Sequence, residues 1–383
     1  MKEVIVVQPY VPGYRVPFFN RVQAIFARRN LQLKVIAGAP SGDQALRADS
    51  ATAEWLTTVD RKVVSLFGRS IDLSLSAPQW RNSASAVIMP LVGTSPYVAT
   101  TLMRRADVKV GVWGHVASYV APGHPIDLAI ERWMMKRADR VLAYTPSGAN
   151  FAVRQGVNPQ SVTTVMNSID TSEIETARRA LVVDGSVSAT NLGRPSVFDA
   201  SLAGRPQKYF AFVGGIDATK RIGLLVESLD ILWRRKSPVR ILIAGEGAEK
   251  PRLVGAASRG QVGMVGHVSG AAKAELLCRS VAIVNPGRIG LVAVDALAAR
   301  VPILTTTYPF HAPEFEYLSP GTSVLSASED SRDFADLLDE YWERPPAISS
   351  RMDESNWLYP TIDDMAENFT RGVFSMIGGD RDA

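Results

Sequence analysis

Between Val281 and Thr307 the chain reads VAIVNPGRIGLVAVDALAARVPILTTT, a strand, a glycine turn, a helix, a proline break and a second strand without interruption. The run Val281-Ala282-Ile283-Val284 meets Asn285-Pro286-Gly287, and Leu291 to Ala299 is helical by composition and stops near Pro302. In a parallel α/β sheet such a strand-to-helix turn lies at the carboxyl edge of the strands, where backbone N–H groups and the positive end of a helix meet anionic ligands. A βαβ unit without a ligand fits the local pattern equally well, so the rest of the chain has to decide.

Length allows more than one such block. At 383 residues, and with roughly 150 residues per domain, two or three domains are expected. Apolar residues at 46% and charged residues at 21% suit an ordinary globular enzyme and not a disordered chain. The lone Cys278 excludes an intramolecular disulfide and a cysteine zinc site, fits a reducing cytosol, and reads as a buried thiol. MKEVIVVQPY enters a strand directly, so no signal peptide is expected, and no apolar run approaches the roughly 20 residues of a membrane span. Charge is uneven: residues 1–200 hold 22 Lys/Arg against 15 Asp/Glu, and 201–383 hold 20 against 23. A basic first half suits an anionic acceptor or membrane surface, though ordinary surface charge gives the same balance.

The first half opens with a strand, Lys2 to Val7, a turn through Gln8-Pro9-Tyr10-Val11-Pro12-Gly13-Tyr14-Arg15, and an amphipathic helix from about Val16 to Arg29 with Phe18, Val22, Ile25 and Phe26 on one face. Leu31 to Ala37 is the next strand. The loop lacks the G-x-G-x-x-G pattern, so an NAD or FAD site is not expected; Gly13 lets backbone approach a diphosphate beside Arg15, or serves a plain Pro-Gly turn. One or two strands are expected from Val63 to Pro90, around Ala86-Val87-Ile88-Met89 and after an irregular region with Trp80 and Arg81. Val108 to Trp113 is a strand ending at Gly114-His115, where an imidazole is placed to donate to a sugar hydroxyl or phosphate oxygen. Pro125 to Arg137 is a helix, Val141 to Tyr144 a strand, Thr145 the cap of a helix closed by Gly156, and Val162 to Met166 a further strand.

Leu181 to Gln207 has no clear period, and the domain junction is placed near 195–207. A second α/β block follows: strand Lys208 to Val213, loop Gly214-Gly215-Ile216-Asp217-Ala218-Thr219-Lys220-Arg221, and helix Ile222 to Arg235 with Leu225, Leu229 and Leu232 inward. Then come strand Val239 to Ala244 with Gly245-Glu246-Gly247, and the segment Met264-Val265-Gly266-His267-Val268. Gly214, Gly245, Gly266 and Gly287 each follow a β run, so in a doubly wound sheet they share one edge, with Lys220 and Arg221 adding cations for a phosphate-bearing ligand. Asp330 to Trp342 and Thr361 to Ile377 are amphipathic helices, the second capped by Thr361 or Asp363.

Taken in order, these residues resemble the family-4 retaining glycosyltransferases. The carriers are Tyr10-Val11-Pro12-Gly13-Tyr14-Arg15, Arg137-Ala138-Asp139-Arg140 leading to Asn167-Ser168-Ile169-Asp170, Phe212-Val213-Gly214, Ala244-Gly245-Glu246-Gly247 and Gly290-Leu291-Val292-Ala293-Val294-Asp295-Ala296-Leu297-Ala298. The resemblance implies an α/β fold of two Rossmann-like domains (GT-B) facing a central cleft: 1–200 for the acceptor, 201–350 for the nucleotide-sugar, and 351–383 a helical segment returning to the first domain. It implies sugar transfer from a nucleotide-diphosphate sugar to a glycan or lipid-linked acceptor with retained configuration and no metal or other cofactor. Lys220 falls at the diphosphate lysine and Gly266-His267-Val268 at the base contact; Gly13, Gly214, Gly215, Arg221, Gly245, Glu246, His267, Val268, Gly287, Ile289, Gly290, Leu291 and Asp295 line the donor, and Tyr14, Arg15 and His115 the acceptor.

Two departures stand out. Of two acidic residues expected around the 281–307 loop, Gly287 occupies the first position and Asp295 the second, and the arginine expected after Gly214 is Gly215. Either Arg288 and Arg221 supply charge at the diphosphate while loop amides, Glu314 or His311 meet the sugar, or the site is silent and the chain is a binding subunit. A sugar-nucleotide epimerase on the same architecture is a lesser alternative. With no carboxylate nucleophile placed, front-face transfer is the expected mechanism, with Lys220, His115 and Arg288 at the reaction and domain closure around the donor. Nucleic acid is not an expected partner, because the basic residues form no stripe with interleaved aromatics. A cytoplasmic location is expected, with peripheral contact to anionic lipid through Phe26-Ala27-Arg28-Arg29 and Arg104-Arg105.

Overall fold

The structure, a computed structural model, describes residues 2–40, 51–60, 63–66, 69–72, 84–104, 108–116, 124–182, 208–345 and 354–378. The chain divides into two compact units, Met1–Asp170 with Pro360–Ala383, and Thr171–Tyr359. The junction expected near 195–207 lies outside the described residues, as do Trp80 and Arg81. The helix Ser172–Val182, read from sequence as part of the first domain, belongs to the second unit, where Ile174 is buried in the core.

The first unit is built on strands β1 (Lys2–Gln8), β2 (Leu31–Gly38), β3 (Leu56–Val59), β6 (Ala84–Pro90), β7 (Lys109–Gly114), β8 (Arg140–Ala143) and β9 (Val162–Thr164). They form one parallel sheet in the order β3-β2-β1-β6-β7-β8-β9. Two short strands, β4 (Val63–Leu66) and β5 (Arg69–Asp72), pair antiparallel outside it. Val4 to Val7 are buried throughout because helices cover both faces of such a sheet. The first helix runs Val16–Ala27 and stops two residues before the expected end, where Asn30 takes a left-handed φ of 56°. It buries Phe18, Phe19, Val22 and Phe26.

Against that face lies the last helix, Ile362–Ile377, which begins in a capping box between Thr361 and Asp364. Phe369 meets Phe18 at 5.4 Å and Trp113 at 5.0 Å, and Phe374 meets Phe26 at 5.7 Å between ring centroids. Gly372 lets this helix sit on the sheet, since a Cβ there would be 2.6 Å from Leu142 Cδ2. The core of the first unit is thus completed by the C-terminal end of the chain.

The second unit has a sheet of β10 (Phe210–Val213), β11 (Ile241–Ala244), β12 (Val262–Gly266), β13 (Ile283–Val284), β14 (Ile303–Thr306) and β15 (Val324–Ala327), in the order β12-β11-β10-β13-β14-β15 and parallel throughout. The strand order reverses between β10 and β13, which in open α/β sheets is where a crevice forms at the carboxyl ends. β13 begins two residues after the start of the run at Val281 and ends at Val284, where the chain turns at Asn285-Pro286 and proline has no N–H for a ladder. The helix Val292–Ala299 is buried from Ala293 to Ala299, as its apolar composition requires, with Asp295 the one charged residue in it, and ends at Arg300 with φ 56° before Pro302. Leu225, Leu229 and Leu232 of the helix Ile222–Arg234 are fully buried.

Candidate functional site

At the reversal point of the second sheet three loops are fastened together by backbone. The loop after β11 lies on the loop after β10: Ile216 donates to the Glu246 carbonyl at 2.9 Å and Glu249 to the Ile216 carbonyl at 2.9 Å. Gly245 has φ 157°, and a Cβ on it would stand 1.9 Å from the Gly214 carbonyl oxygen. This glycine serves loop packing as well as any ligand. Gly266 meets nothing within 4 Å at that position, so the four glycines share an edge without sharing a role.

The opening loop of the sequence, Asn285 to Leu291, sits against Thr219-Lys220. Arg288 N–H donates to the Thr219 carbonyl at 2.8 Å, and the Lys220 ammonium donates to the Arg288 carbonyl. Asn285 steadies the turn from inside, donating to Arg288 O at 3.1 Å and accepting from Gly287 N at 3.3 Å. A Cβ on Gly287 would lie 2.2 Å from Thr219 O and 2.6 Å from the Lys220 carbonyl carbon. No carboxylate can occupy position 287 in this loop, and Gly287 packs on backbone where a donor contact was expected.

Beyond Gly287 the loop carries a half-buried Arg288. Burial lowers its pKa, while Glu314, Tyr308 and Asp217 around the guanidinium push it back up, so it stays charged. Glu314 is 2% exposed, and its Oε2 lies 3.8 Å from where a Gly290 Cβ would stand, at the N-terminal end of the helix Val292–Ala299. A buried carboxylate on the segment after β14 therefore stands at this loop.

His311 has a different part. Its Nδ1 accepts from Ile289 N at 3.2 Å, the ring hydrogen-bonds the Thr306 backbone, and it stacks on Phe315 at 3.9 Å. Burial, with Lys220 and Arg288 nearby, lowers its pKa to about 4, so the ring is neutral and ties two loops together. His311 and Glu314, the two alternatives read for the sugar contact, are both buried. Ile289, read as a donor contact, is fully buried in the core, with its carbonyl accepting from Ala312 N at 2.7 Å.

The remaining donor candidates are placed as follows. Asp295 is buried and paired with Lys273 at 2.8 Å. Arg221, with φ 53° at the start of its helix, is paired with Glu329 and lies over Tyr308 at 5.7 Å, so its charge is compensated. Glu246 is bridged by Lys250 at 2.8 Å. His267 is exposed after β12, Val268 packs on the core, and Gly215 lies in the loop after β10. Leu291 caps the helix at its N-terminus. Asp217, which caps Thr219 N at 3.0 Å, and Tyr308 escaped the sequence reading; both flank Arg288 and only the folded loops show it.

In the first unit, His115 is exposed just past β7 and lies 4.9 Å from Tyr144 between ring centroids. Tyr14 is 46% exposed, whereas Arg15 is 8% exposed. Gly13 opens a 3-10 turn without a left-handed φ, so it does not use glycine's freedom. A cavity of ≈ 190 Å³ lies at the carboxyl ends of β1 and β7, lined among others by Tyr10, Tyr14, Arg15, Trp113 and Tyr144. Trp113 and Tyr144 were not read as site residues; Trp113 is next to last in β7 and Tyr144 directly follows β8, and that place at the strand ends was the available signal.

Cys278, read as a buried thiol, is half-buried against the core, with its pKa pushed up to about 12 by desolvation. Phe26 is fully buried and Arg29 lies over Phe374 at 4.4 Å, so that end of the first helix offers no apolar face to a bilayer. The side chains of Arg104-Arg105 lie outside the described residues. Among the described residues no helix is long and apolar enough to cross a membrane, and no three His, Cys, Asp or Glu side chains gather as a metal-binding group.

Two parallel Rossmann-like units with a basic loop crevice at a sheet reversal define the class, and the comparisons agree. Residues 207–344, within the second unit, match the family model described as Glycosyl transferases group 1. No curated protein sequence matches the chain. Among solved structures, Anabaena HepE in complex with UDP superposes with a TM-score of 0.65 at 12% identity, over 98% of this chain and 100% of that one. A glycosyltransferase from Rickettsia africae gives 0.64 at 11% identity, over 100% and 99%. The UDP-GlcNAc 2-epimerase of Methanocaldococcus jannaschii gives 0.54 at 12% identity, over 98% and 100%. The fold is therefore the GT-B architecture that the resemblance implied.

Proposed function

We propose that this chain is a retaining glycosyltransferase that moves a sugar from a nucleotide-diphosphate sugar to a glycan or lipid-linked acceptor. The observation that carries the reading is the meeting of Lys220, Arg288 and Glu314 around the N-terminal end of a helix at the sheet reversal. Lys220 and Arg288 hold the diphosphate and stabilise the charge that grows on it as the bond to the sugar breaks. Glu314 takes the sugar hydroxyl contact that position 287 has no room for, and Asp295, held by Lys273, faces the ribose. In front-face transfer the acceptor hydroxyl oxygen bonds to the anomeric carbon, the carbon–oxygen bond to the diphosphate breaks, and the hydroxyl proton passes to the departing diphosphate oxygen. His115 and the aromatic cavity of the first unit present the acceptor. The enzyme is placed in the cytoplasm, with peripheral contact to anionic lipid.

A panel of nucleotide-sugars with glycan acceptors tests this: turnover by the wild type and a loss of more than about a hundredfold in Lys220→Ala are expected. Turnover within a few fold in that variant removes the diphosphate assignment. The epimerase neighbour favours a second reading, in which the donor is interconverted with no acceptor present. Product analysis of donor alone separates the two.

A further inference from the structure

Arg15 presents a buried charge with no counter-charge among the described residues. Its guanidinium is held by Asn167 Oδ1 at 2.8 Å and Met365 Sδ at 3.4 Å, both neutral. Its carbon centre lies 5.4 Å from the Tyr14 ring, 5.7 Å from Trp113 and 5.8 Å from Tyr144. Of the acids near its partners in sequence, Asp170 and Asp363 are paired with Arg21, at 3.3 Å and 2.5 Å, and Asp364 accepts from Thr361 in the capping box. No described carboxylate forms an ion pair with Arg15.

Taking a guanidinium out of water is unfavourable unless a partner of opposite charge meets it, and a cation kept only to pack would be better replaced by an apolar side chain. Arginine also carries five N–H donors in a planar fork suited to carboxylate and phosphate, more than Asn167 and Met365 can use. The missing anion has a place to come from, because Arg15 lines the ≈ 190 Å³ cavity together with Gln8, Tyr10, Trp113 and Tyr144. That volume is below the roughly 300 Å³ at which drug-sized pockets begin and suits one ring seated in it. Aromatic walls suit the C–H face of a pyranose, and Gln8 suits a hydroxyl.

We infer that the cavity of the first unit receives a single pyranose bearing an anionic substituent, carboxylate or phosphate, which pairs with Arg15. This deepens the proposed function and rests on it: the acceptor's receiving residue is an acidic or phosphorylated sugar. The competing role for Arg15 is a staple between the first turn and the last helix, through Asn167 and Met365. A staple accounts for two hydrogen bonds but not for a full charge beside an open aromatic cavity.

Calorimetric titration of the full chain with glucuronic acid, glucose 6-phosphate and glucose tests it, with UDP-induced thermal stabilisation as a separate report on the second unit. Both charged sugars, or one of them, are expected to bind at least about tenfold tighter than glucose; which one does so tells carboxylate from phosphate. Arg15→Gln should bring all three within about threefold while the UDP shift is retained. Equal binding of glucose, no binding of any sugar, or a charge preference that survives in Arg15→Gln overturns the inference. If that variant does not fold, Tyr14→Ala, at an exposed position, decides: it should weaken the charged sugars about tenfold, and unchanged affinity places them elsewhere. UDP stabilisation and donor turnover without sugar discrimination sink this inference alone. Charged-sugar binding without either sinks the glycosyltransferase reading alone.

Discussion

Restoring a carboxylate at the position where related sequences are expected to carry one, Gly287→Glu, should inactivate this protein. A Cβ at 287 would stand 2.2 Å from the Thr219 carbonyl oxygen, about 1 Å short of an acceptable contact, and the obstacle is backbone on a loop held by Lys220 and Asp217. Relief requires the two loops to part, which breaks the 2.8 Å bond from Arg288 N to Thr219 O. Overpacking of this kind costs about 1–3 kcal/mol and the lost hydrogen bond about 1 kcal/mol more. For a unit of this size each kcal/mol moves the melting temperature by roughly 2–4 °C, so a drop on the order of 4–16 °C is expected. Gly287→Ala should show most of that drop, because the clash is at Cβ and not at the carboxylate. Differential scanning calorimetry with and without UDP reads both effects, and the UDP-induced rise should shrink because Lys220 moves with the loop. If Gly287→Glu melts with the wild type and turns over donor as fast or faster, the argument that backbone closes this position is refuted.

Three further outcomes follow from the same geometry. Glu314→Gln should lower donor turnover by about a hundredfold while leaving UDP-induced stabilisation nearly intact, since the carboxylate is assigned to the sugar and not to the diphosphate; steady-state kinetics beside thermal shift reads both. The His311 pKa is depressed in the folded state from 6.5 to about 4, so the unfolded chain binds the extra proton between those values. The stabilisation is full above pH 6.5 and is lost as pH falls toward 4, by up to about 3 kcal/mol, and urea titrations at pH 7, 5.5 and 4.5 should show the loss shrink in His311→Gln. The helix Pro125–Arg137 exposes Ile126, Leu128 and Trp133 beside Arg132, Lys136 and Arg137, so salt-dependent co-sedimentation with anionic liposomes should fall in Trp133→Ser, and no binding by the wild type removes the membrane contact.

Sequence alone was enough for the elements that carry the candidate site, though not for the strands Leu56–Val59 and Val324–Ala327 or the helices Pro96–Arg104, Ser172–Val182 and Gly270–Cys278. The stretch Val281 to Thr307 could only be a strand, turn, helix and strand, because β-branched runs, glycine, an apolar helix and Pro302 act locally, through neighbours in the chain. The same local signals located Thr145 as a cap and Leu225, Leu229 and Leu232 as an inward face. Lys220 and Arg288 were legible as cations at strand ends for that reason too.

What the sequence left open depended on residues far apart in numbering. Gly287 read as a lost carboxylate; in the fold it is a position closed by Thr219 and Lys220, with Glu314 held nearby by a loop after a different strand. Arg15 read as a cation beside a diphosphate or an acceptor; the return of the last helix, bringing Met365 beside Asn167, is what buries it. His311 and Ile289 looked like contacts and proved to be ties and core. Burial and electrostatic environment are sums over neighbours in space, and a linear pattern carries no record of which loop will stand opposite which. The opening stretch therefore determined its own secondary structure, while the chemistry at its turn was decided by the segments that fold against it.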